Sequence, residues 1–455
     1  MIKRWSSFDN KSSLLDHGSV TLRMAAVEIL EHYIKAADPY PRSLNILRRN
    51  DNQLNIGNFI YKMDQWSRIY VVGAGKATQS VALAVEEVLG NCITDGMVIL
   101  KRGEPHYLKH IRIVEAAHPV PDQASWDGAK EIVNISEQAT SNDLVIAIFT
   151  GGSSSLMVWP CDGISLKDKQ DLNHLLLGCG ATIQEINAVR KHISLVKGGR
   201  LGLMIFPAKL INITVSDVIG DSLDCITDLT VPDSSTYKDA WATLDKYDLW
   251  NVIPASIREH LKRGLEIETP KNYSHSYHSY ITVTSKEACL STAAKCQELG
   301  FETFILTTAM EGESHIAAKD FINSAYKIIN SNDPGRRYAF LSSGETTVTL
   351  EVANEEGGRN QEFSLSAAHQ ISSQNGVVVA SLATDGTDGP TNACGGLVDS
   401  ETISRARNAG LVPDEALLLH KSKIVLSATG DLLVSGPTGT NVNDVALLLY
   451  DKRSK

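Results

Sequence analysis

The sequence lacks the features that mark membrane, secreted and structural zinc proteins. No run of about 18 apolar residues occurs in it, so we expect no transmembrane helix. The seven cysteines are scattered and none forms a CxxC pair, which favours free thiols in a reducing compartment. The start, MIKRWSSFDNKSSLL, has no apolar segment typical of a secretory signal, and Asp9 and Asp16 argue against an organelle presequence. These absences predict a cytoplasmic protein without a membrane partner.

An excess of positive charge is also absent. The chain has 43 Lys and Arg against 53 Asp and Glu, a formal net charge of −10, which argues against nucleic acid as a partner. A local cationic pocket for a small anionic ligand stays open. The 455 residues exceed the size of one typical domain, so we expect two domains. The sequence does not reveal the oligomeric state, and a homodimer stays open.

Short apolar segments recur through the first half, each ending in a glycine-rich or polar turn and followed by a helical pattern. These segments span residues 69–77, 97–103, 144–155 and 210–221. The alternation predicts an α/β fold with a Rossmann-like, doubly wound parallel sheet, preceded by a mostly helical stretch at 20–66. An irregular run at 269–280 suggests a domain boundary. We therefore predict an N-terminal domain over 1–275 and a C-terminal domain over 276–455.

The second half repeats the alternation and predicts a smaller α/β domain. Its apolar segments span residues 281–285, 303–310, 339–352, 377–391 and 432–444. Within 346–352, threonine and glutamate alternate with valine and leucine, which predicts a strand with one face in water.

A glycine-rich loop follows the first predicted strand, in IYVVGAGKAT. Gly73 and Gly75 would let backbone N–H groups approach an anion at a helix N-terminus, and Lys76 would add a positive charge there. The loop is not of the Walker A type, because Ala77 stands where Ser or Thr is required. Thr78 occupies the third glycine position of the dinucleotide fingerprint. The alternative interpretation is a close strand-to-helix turn with a solvated lysine.

Two more strand ends in the first half carry polar loops. In FTGGSSSL, backbone and hydroxyl groups could donate to phosphate oxygens, or the serines could simply cap a helix. The residues concerned are Gly151, Gly152, Ser153, Ser154 and Ser155. In INITVSDVIGD, Asp217 follows an apolar strand, where a carboxylate could hold Mg²⁺, take a hydroxyl proton or only form a turn.

The second half offers a cation, carboxylates and hydroxyl groups in similar loops. Arg359 in GGRNQEF suits phosphate or carboxylate capture, and Asp385 in TDGTDGPT is a further candidate metal ligand. Each loop alone has ordinary turn composition, but together they favour one phosphate-handling cleft between the domains. His118 precedes a proline and has no assignable hydroxyl partner, so we expect a structural role for it. Further candidates for nucleotide contact are Glu345, Thr438 and Asn441.

Several of these stretches occur together in one known family. They are VVGAGKA, HPVPD, INAVRKHISLVKGGRL, SDVIGD, VPD, GETTVTL, GGRNQE, TDGTDGPT and GDLLVSGPTGTNVND. In this order, from about residue 70 almost to the end, the chain resembles the class II glycerate 2-kinase family, whose C-terminal module is called MOFRL. The resemblance implies an ATP- and Mg²⁺-dependent kinase that converts D-glycerate to 2-phosphoglycerate, with its active site between the two domains. It also implies that Lys76 and Arg359 act on the transferring phosphoryl group and that the loop at 151–155 contacts the nucleotide.

The sequence departs from the family pattern at three places. Ser153 replaces a glycine, TDLT at 227–230 replaces an SGPT-like stretch, and Thr-Ser-Lys at 284–286 replaces a GSN-like segment. These changes leave open a kinase for a related hydroxy acid or an inactive nucleotide sensor.

Two further questions stay open at the level of the sequence. An NAD(P)-dependent hydroxypyruvate reductase is the rival enzyme, with Lys101 and Arg102 placed after a strand where a 2′-phosphate could bind. Arg190 and Lys197 are candidates for binding the substrate carboxylate, although a structural role would equally explain them.

Overall fold

The computed structural model describes residues 5–264, 268–333, 335–350 and 356–453. They divide into two compact units. The central unit comprises Pro39–Thr282, and the terminal unit comprises the described residues up to Asp38 and from Val283 onward. This division differs from the sequence-based boundary at residue 275, because the first helices belong with the second half of the chain. Among the described residues, no helix combines the length and apolar character needed to cross a membrane.

Strands and helices alternate along most of the chain. The strands are β1 (Leu47–Asn50), β2 (Gln53–Ile56), β3 (Phe59–Lys62), β4 (Arg68–Ala74), β5 (Asp95–Lys101), β6 (Arg112–Ala116), β7 (Asp143–Phe149), β8 (Lys209–Thr214), β9 (Tyr277–Ile281), β10 (Glu302–Met310), β11 (Arg337–Gly344), β12 (Val377–Ala383), β13 (Gly395–Asp399), β14 (Leu432–Leu433) and β15 (Asp444–Asp451). The helices are α1 (Lys11–Leu14), α2 (Val20–Ala36), α3 (Pro39–Ile46), α4 (Thr78–Leu89), α5 (Gln123–Glu137), α6 (Ser153–Leu156), α7 (Leu166–Gly178), α8 (Ile183–His192), α9 (Arg200–Ile205), α10 (Leu223–Ile226), α11 (Tyr237–Lys246), α12 (Ala255–Gly264), α13 (Ser285–Glu298), α14 (Ser314–Ser331), α15 (Arg359–Ile371), α16 (Thr402–Asn408), α17 (Pro413–Leu418) and α18 (Ser422–Ala428).

The main sheet of the central unit is entirely parallel, in the order β6-β5-β4-β7-β8-β9. This is the strand order 3-2-1-4-5-6 of doubly wound dinucleotide-binding folds, and it confirms the predicted fold class. Every residue of β7 is buried, as expected for a strand covered on both faces. The order reverses between β4 and β7. In such sheets ligands bind at this switch point, beyond the carboxyl ends of the strands.

Two stretches of the chain differ from the sequence-based expectation. The stretch at 20–66 contains the expected helices, but β1, β2 and β3 form an antiparallel sheet within it. The strand expected at 281–285 lies earlier, as β9, and pairs with β8 in the central sheet. The second half therefore begins after this strand.

The terminal unit contains a mixed six-stranded sheet in the order β10-β11-β15-β12-β13-β14. The pair β10 and β11 is parallel, whereas β15 runs antiparallel to both of its neighbours. The strand expected at 346–352 is absent through residue 350, and the rest of it lies outside the described residues. Thr347 and Thr349 instead direct their hydroxyl groups to the Glu313 carboxylate at 3.2 and 2.6 Å. Thr347 also forms an isolated parallel bridge with Glu313, so the backbone pairing here is limited to one residue pair and is supplemented by side-chain hydrogen bonds.

A buried arginine ties α2 to the C-terminal part of the terminal unit. Arg23 is fully buried and forms ion pairs with Asp399 at 2.8 Å and Asp431 at 2.9 Å. Its Nε also donates to the Leu14 carbonyl oxygen at 2.7 Å. These contacts explain why residues before Pro39 belong to this unit.

Replacing Arg23 by methionine is expected to lower the free energy of unfolding by about 3 kcal/mol, because two buried carboxylates lose a cation. Urea denaturation would measure the change. Arg407→Met is the control, since this arginine is largely exposed. A loss of less than about 1 kcal/mol in the Arg23 variant, the range of many exposed ion pairs, would contradict the assigned role.

Candidate active site

The loops after β4 and β7 are joined at the switch point of the central sheet. The backbone N–H of Lys76 donates to the Gly151 carbonyl oxygen at 2.9 Å. The next N–H, of Ala77, donates to Thr150 Oγ1 at 3.2 Å. Helix α4 begins directly after this junction. Lys76 is therefore held at a helix N-terminus, as the sequence predicts, and it also lies beside the glycine-serine loop.

Two glycines permit the close approach of these strand ends. A Cβ atom at Gly75, where φ is +139°, would lie 2.1 Å from Thr150 Oγ1. A Cβ atom at Gly73 would lie 2.4 Å from the Ile148 carbonyl oxygen. Both glycines are thus required by protein packing alone, and their contact with a nucleotide stays a prediction.

Gly152 brings the second loop against two potentially charged side chains. Its φ is +88°, and an added Cβ would lie 3.2 Å from both Lys76 Cγ and His118 Nε2. Lys76 is half-buried here. The His118 ring, expected to be structural, therefore lies beside the candidate phosphate loop. The sequence did not indicate this position for His118, because its neighbour in the loop is a glycine and not a hydroxyl-bearing residue.

The remaining candidates of the central unit follow β7 and β8. Helix α6 begins at Ser153, which is buried, and the next two serines are half-buried. Asp217 is half-buried in the loop after β8. In the same loop, Ser216 Oγ donates to Asp221 Oδ1 at 2.5 Å. Because β4, β7 and β8 are neighbouring parallel strands, Lys76, the glycine-serine loop and Asp217 lie at one edge of the sheet.

In the terminal unit, Arg359 is fixed between two carboxylates at the start of α15. Its Nε and Nη2 donate to the two oxygens of Asp444 at 2.6 and 3.0 Å. Its Nη1 lies 2.7 Å from Glu345 Oε1. Asp444 is almost fully buried, and this burial raises its pKa to about 6 despite the guanidinium. Glu345, a candidate for nucleotide contact, is thus a partner of Arg359.

The TDGTDGPT loop supports the same helix end. The carboxylate of Asp388 is buried and accepts the backbone N–H groups of Asn360 at 3.1 Å and Gln361 at 2.9 Å. Burial raises the pKa of Asp388. Asp385, the predicted metal ligand, is half-buried and accepts the Thr387 N–H at 2.9 Å. Asp388 therefore orients the start of α15, and Asp385 is the more exposed carboxylate.

The loop before β15 uses its hydroxyl groups for its own structure. Thr438 Oγ1 donates to the Thr384 carbonyl oxygen at 2.5 Å, next to Asp385. Asn441 is buried. The predicted nucleotide contacts of Thr438 and Asn441 stay predictions. Within the described ranges, no group of three or more His, Cys, Asp and Glu side chains is arranged to hold a metal ion.

Residues at two departures from the family pattern have structural partners. Asp228, in the TDLT stretch, pairs with the buried ammonium of Lys197 at 2.9 Å. Thr284 caps the start of α13 and exchanges hydrogen bonds with Glu287. Both residues therefore have contacts within the protein.

Two family models match the chain, one for each half. A domain of unknown function, DUF4147, matches residues 25–262, and the MOFRL family matches residues 338–444. A Pyrococcus horikoshii protein named glycerate 2-kinase is 40% identical over 443 residues, covering 96% of this chain and 99% of that protein. The chain belongs to the MOFRL-containing glycerate 2-kinase family. This confirms the resemblance found in the sequence.

Other family members agree in sequence and in fold. A Thermotoga maritima protein named D-glycerate 2-kinase is 37% identical, covering 94% of this chain and 98% of that protein. A crystal structure of a T. maritima glycerate kinase matches with a TM-score of 0.78 and 36% identity, covering 94% of this chain and 99% of that one. An Agrobacterium vitis relative, 38% identical, carries a provisional name as a hydroxypyruvate reductase and is matched over 84% of this chain and 87% of its own.

Proposed function

We propose that this protein transfers the γ-phosphoryl group of ATP to the 2-hydroxyl of D-glycerate, giving 2-phospho-D-glycerate and ADP. Membership of the glycerate 2-kinase family and the names of two relatives support the proposal. The observation that carries it is the junction between Lys76 and Gly151 at the sheet's switch point. Ligands of doubly wound sheets bind there.

The loops after β4 and β7 in the central unit suit a nucleoside triphosphate. Phosphoryl transfer leaves the protein mainly the tasks of positioning and neutralising charge. Backbone N–H groups and hydroxyls of residues 151–155 would hold phosphate oxygens, with the ammonium of Lys76 next to them. The left-handed backbone of Gly152 keeps this loop close to Lys76 without a side chain in between.

Asp217 in the central unit and Asp385 in the terminal unit are each a candidate ligand for Mg²⁺. Both carboxylates are half-buried, which suits a cation that takes one or two protein carboxylates and completes its shell with phosphate oxygens and water. When bound, the ion would neutralise charge on the phosphates. Either carboxylate would alternatively accept the proton of the substrate hydroxyl.

Arg359 would supply a second cation for the transferring group. An arginine side chain has five N–H donors, and the contacts with Asp444 and Glu345 use one each on Nε, Nη1 and Nη2. Among the described residues, one N–H on each terminal nitrogen thus remains for phosphate oxygens. Two carboxylates hold the fork in place before substrate binds, which reduces the cost of ordering it.

We place the protein in the cytoplasm, acting on a small molecule. All seven cysteines are free, which supports a reducing compartment. ATP and Mg²⁺ are the proposed co-substrate and metal.

ADP release by the purified protein tests the proposal. Mg-ATP is supplied with D-glycerate, L-glycerate or hydroxypyruvate, and ADP is followed through a coupled assay. We expect release that depends on D-glycerate and Mg²⁺. ATP binding without ADP release from any of the three acids would overturn the glycerate kinase assignment and favour a nucleotide sensor.

The name of the A. vitis relative favours a hydroxypyruvate reductase as a second candidate. Two contacts oppose it in this chain. Thr78 fills the third glycine position and donates to the Ile148 carbonyl oxygen at 3.2 Å. Arg102, a candidate for a 2′-phosphate, pairs with Asp122 at 2.7 Å. We expect no enhancement of NADPH fluorescence on adding the protein and no NADPH oxidation with hydroxypyruvate.

The proposed role of Arg359 predicts that kcat for ADP formation declines on the acid side of its pH profile, which we call the acid limb. Burial raises the pKa of Asp444 to about 6, so this carboxyl gains a proton as the pH falls through that value. The protonated group holds the guanidinium less firmly, and kcat for ADP formation should fall below pH 6. Asp444→Asn should be slower at all pH values and lack this limb. An unchanged limb in the variant would assign it to another group.

A further inference from the structure

A buried lysine lies outside the candidate residues above. Lys169, on α7 in the central unit, is only 1% exposed. Its Nζ has no hydrogen-bond partner among the residues that the structure describes. A buried ammonium without a partner is costly, so the group is either neutral or matched by a ligand.

Two other cations lie around this amine. Asn173, one helical turn after Lys169 on the same face of α7, accepts a hydrogen bond from Arg190 Nε at 2.9 Å. Lys197 is also buried, and its charge and that of Arg190 both act on Lys169. Burial, reinforced by Lys197 and Arg190, lowers the pKa of Lys169 to about 7.

The carboxylates in this region are assigned to other cations. Lys191 pairs with Asp224 and with Asp233, and Lys197 pairs with Asp228. Within the described ranges, neither Lys169 nor Arg190 forms an ion pair. The cluster of Lys169, Arg190 and Lys197 therefore keeps a surplus of positive charge where water is largely excluded.

We propose that Lys169, Arg190 and Lys197 form an oxyanion subsite that binds the carboxylate of the hydroxy acid substrate. The identity of the ligand rests on the function proposed above. Arg190 is the partly exposed member, so the anion would enter beside its guanidinium. An oxyanion would give Lys169 the hydrogen bonds that the protein does not provide.

The position of α7 fits this role. Gln170, next to Lys169, donates to the Pro121 carbonyl oxygen at 2.7 Å. Pro121 lies three residues after His118. The His118 ring lies next to Gly152, where an added Cβ atom would be 3.2 Å from its Nε2. The start of α7 therefore packs against the segment that borders the loop of Lys76.

Calorimetric titration of the full chain tests the subsite with three probes: D-glycerate, glycerol and inorganic phosphate. Glycerol keeps the hydroxyl groups but lacks the carboxylate. We expect the wild type to bind D-glycerate and not glycerol, and Lys169→Met to weaken D-glycerate binding at least tenfold. Lys167→Met, an exposed position on the same helix, is the matched control and should bind normally.

Lys169→Met should fold, because an apolar side chain of similar length replaces an unpaired buried amine without leaving a charge behind. Its thermal midpoint should equal or exceed that of the wild type. D-glycerate binding unchanged by Lys169→Met would overturn the proposal. Phosphate binding that depends on Lys169, without D-glycerate binding, would overturn the assignment to the substrate carboxylate and identify a phosphate site.

The wild type offers a test that needs no variant. The charged and titratable groups around Lys169 are Lys197, Arg190, Cys161 and Asp228. D-glycerate stays ionised throughout, so its affinity should fall about fivefold between pH 7 and pH 8 as Lys169 loses its proton. Affinity that is constant over this range would contradict the subsite.

The titration and the ADP assay separate the two proposals. Binding of D-glycerate that depends on Lys169, without ADP release, would support the subsite and reject the kinase reaction. ADP release with D-glycerate at an unchanged KM in Lys169→Met would support the kinase and reject the subsite.

Discussion

Replacing Lys76 by alanine is expected to lower kcat for ADP formation about a thousandfold, with little change in the thermal midpoint. The Lys76 backbone is held by its bond to Gly151, which alanine keeps. The variant loses only the ammonium beside the glycine-serine loop. Since phosphoryl transfer depends on neutralising charge that develops in the transition state, the loss should appear in kcat more than in KM for ATP.

Two variants make the Lys76 result specific. Lys76→Arg keeps the charge and should recover part of the rate. Lys130→Ala removes an exposed lysine on α5 and should have wild-type kinetics. A Lys76→Ala enzyme with more than about a third of wild-type kcat would remove this residue from the mechanism.

Arg359→Lys is expected to lower kcat about a hundredfold although it keeps the positive charge. A lysine cannot make the two parallel bonds to Asp444, reach Glu345 and still present two N–H groups. The charge would remain, but its position would no longer be fixed. Steady-state kinetics with Mg-ATP and D-glycerate would measure the loss.

Arg336→Lys is the matched control for this variant. Arg336 is exposed and pairs with Glu302, so the same substitution there should leave kcat unchanged. A double variant, Arg359→Lys with Asp444→Asn, should lose little more than the worse single variant, because both changes disturb one unit. Fully additive losses would show that Asp444 does not act through Arg359.

The parallel sheet was predictable because its strands are buried on both faces. Segments such as 144–149 are continuous apolar runs, and each is followed by a loop and then a helical pattern. The sequence analysis placed Lys76, the loop at 151–155 and Asp217 each after a strand, and the parallel order of these strands brings them to one sheet edge. The contacts of these residues with nucleotide, substrate and Mg²⁺ stay predictions.

Features set by distant contacts were not predictable from local patterns. The helix α2 looks like the beginning of the first domain, but the pairing of Arg23 with Asp399 and Asp431 joins it to the second. Asp444 ends the quoted stretch GTNVND, yet nothing local indicates that it holds Arg359. Lys169 lies in no recognisable motif, and its burial and its lack of a partner among the described residues become visible only when α7 and α8 pack together.

The position of the phosphate on the product tests the central claim most directly. Phosphorus NMR of the reaction of Mg-ATP with D-glycerate would distinguish the two hydroxyl groups. A phosphate on the 2-oxygen neighbours one carbon-bound proton and should give a doublet, whereas a phosphate on the 3-oxygen neighbours two and should give a triplet. We predict the doublet of 2-phosphoglycerate. A triplet, or no new phosphate ester, would contradict the proposed reaction.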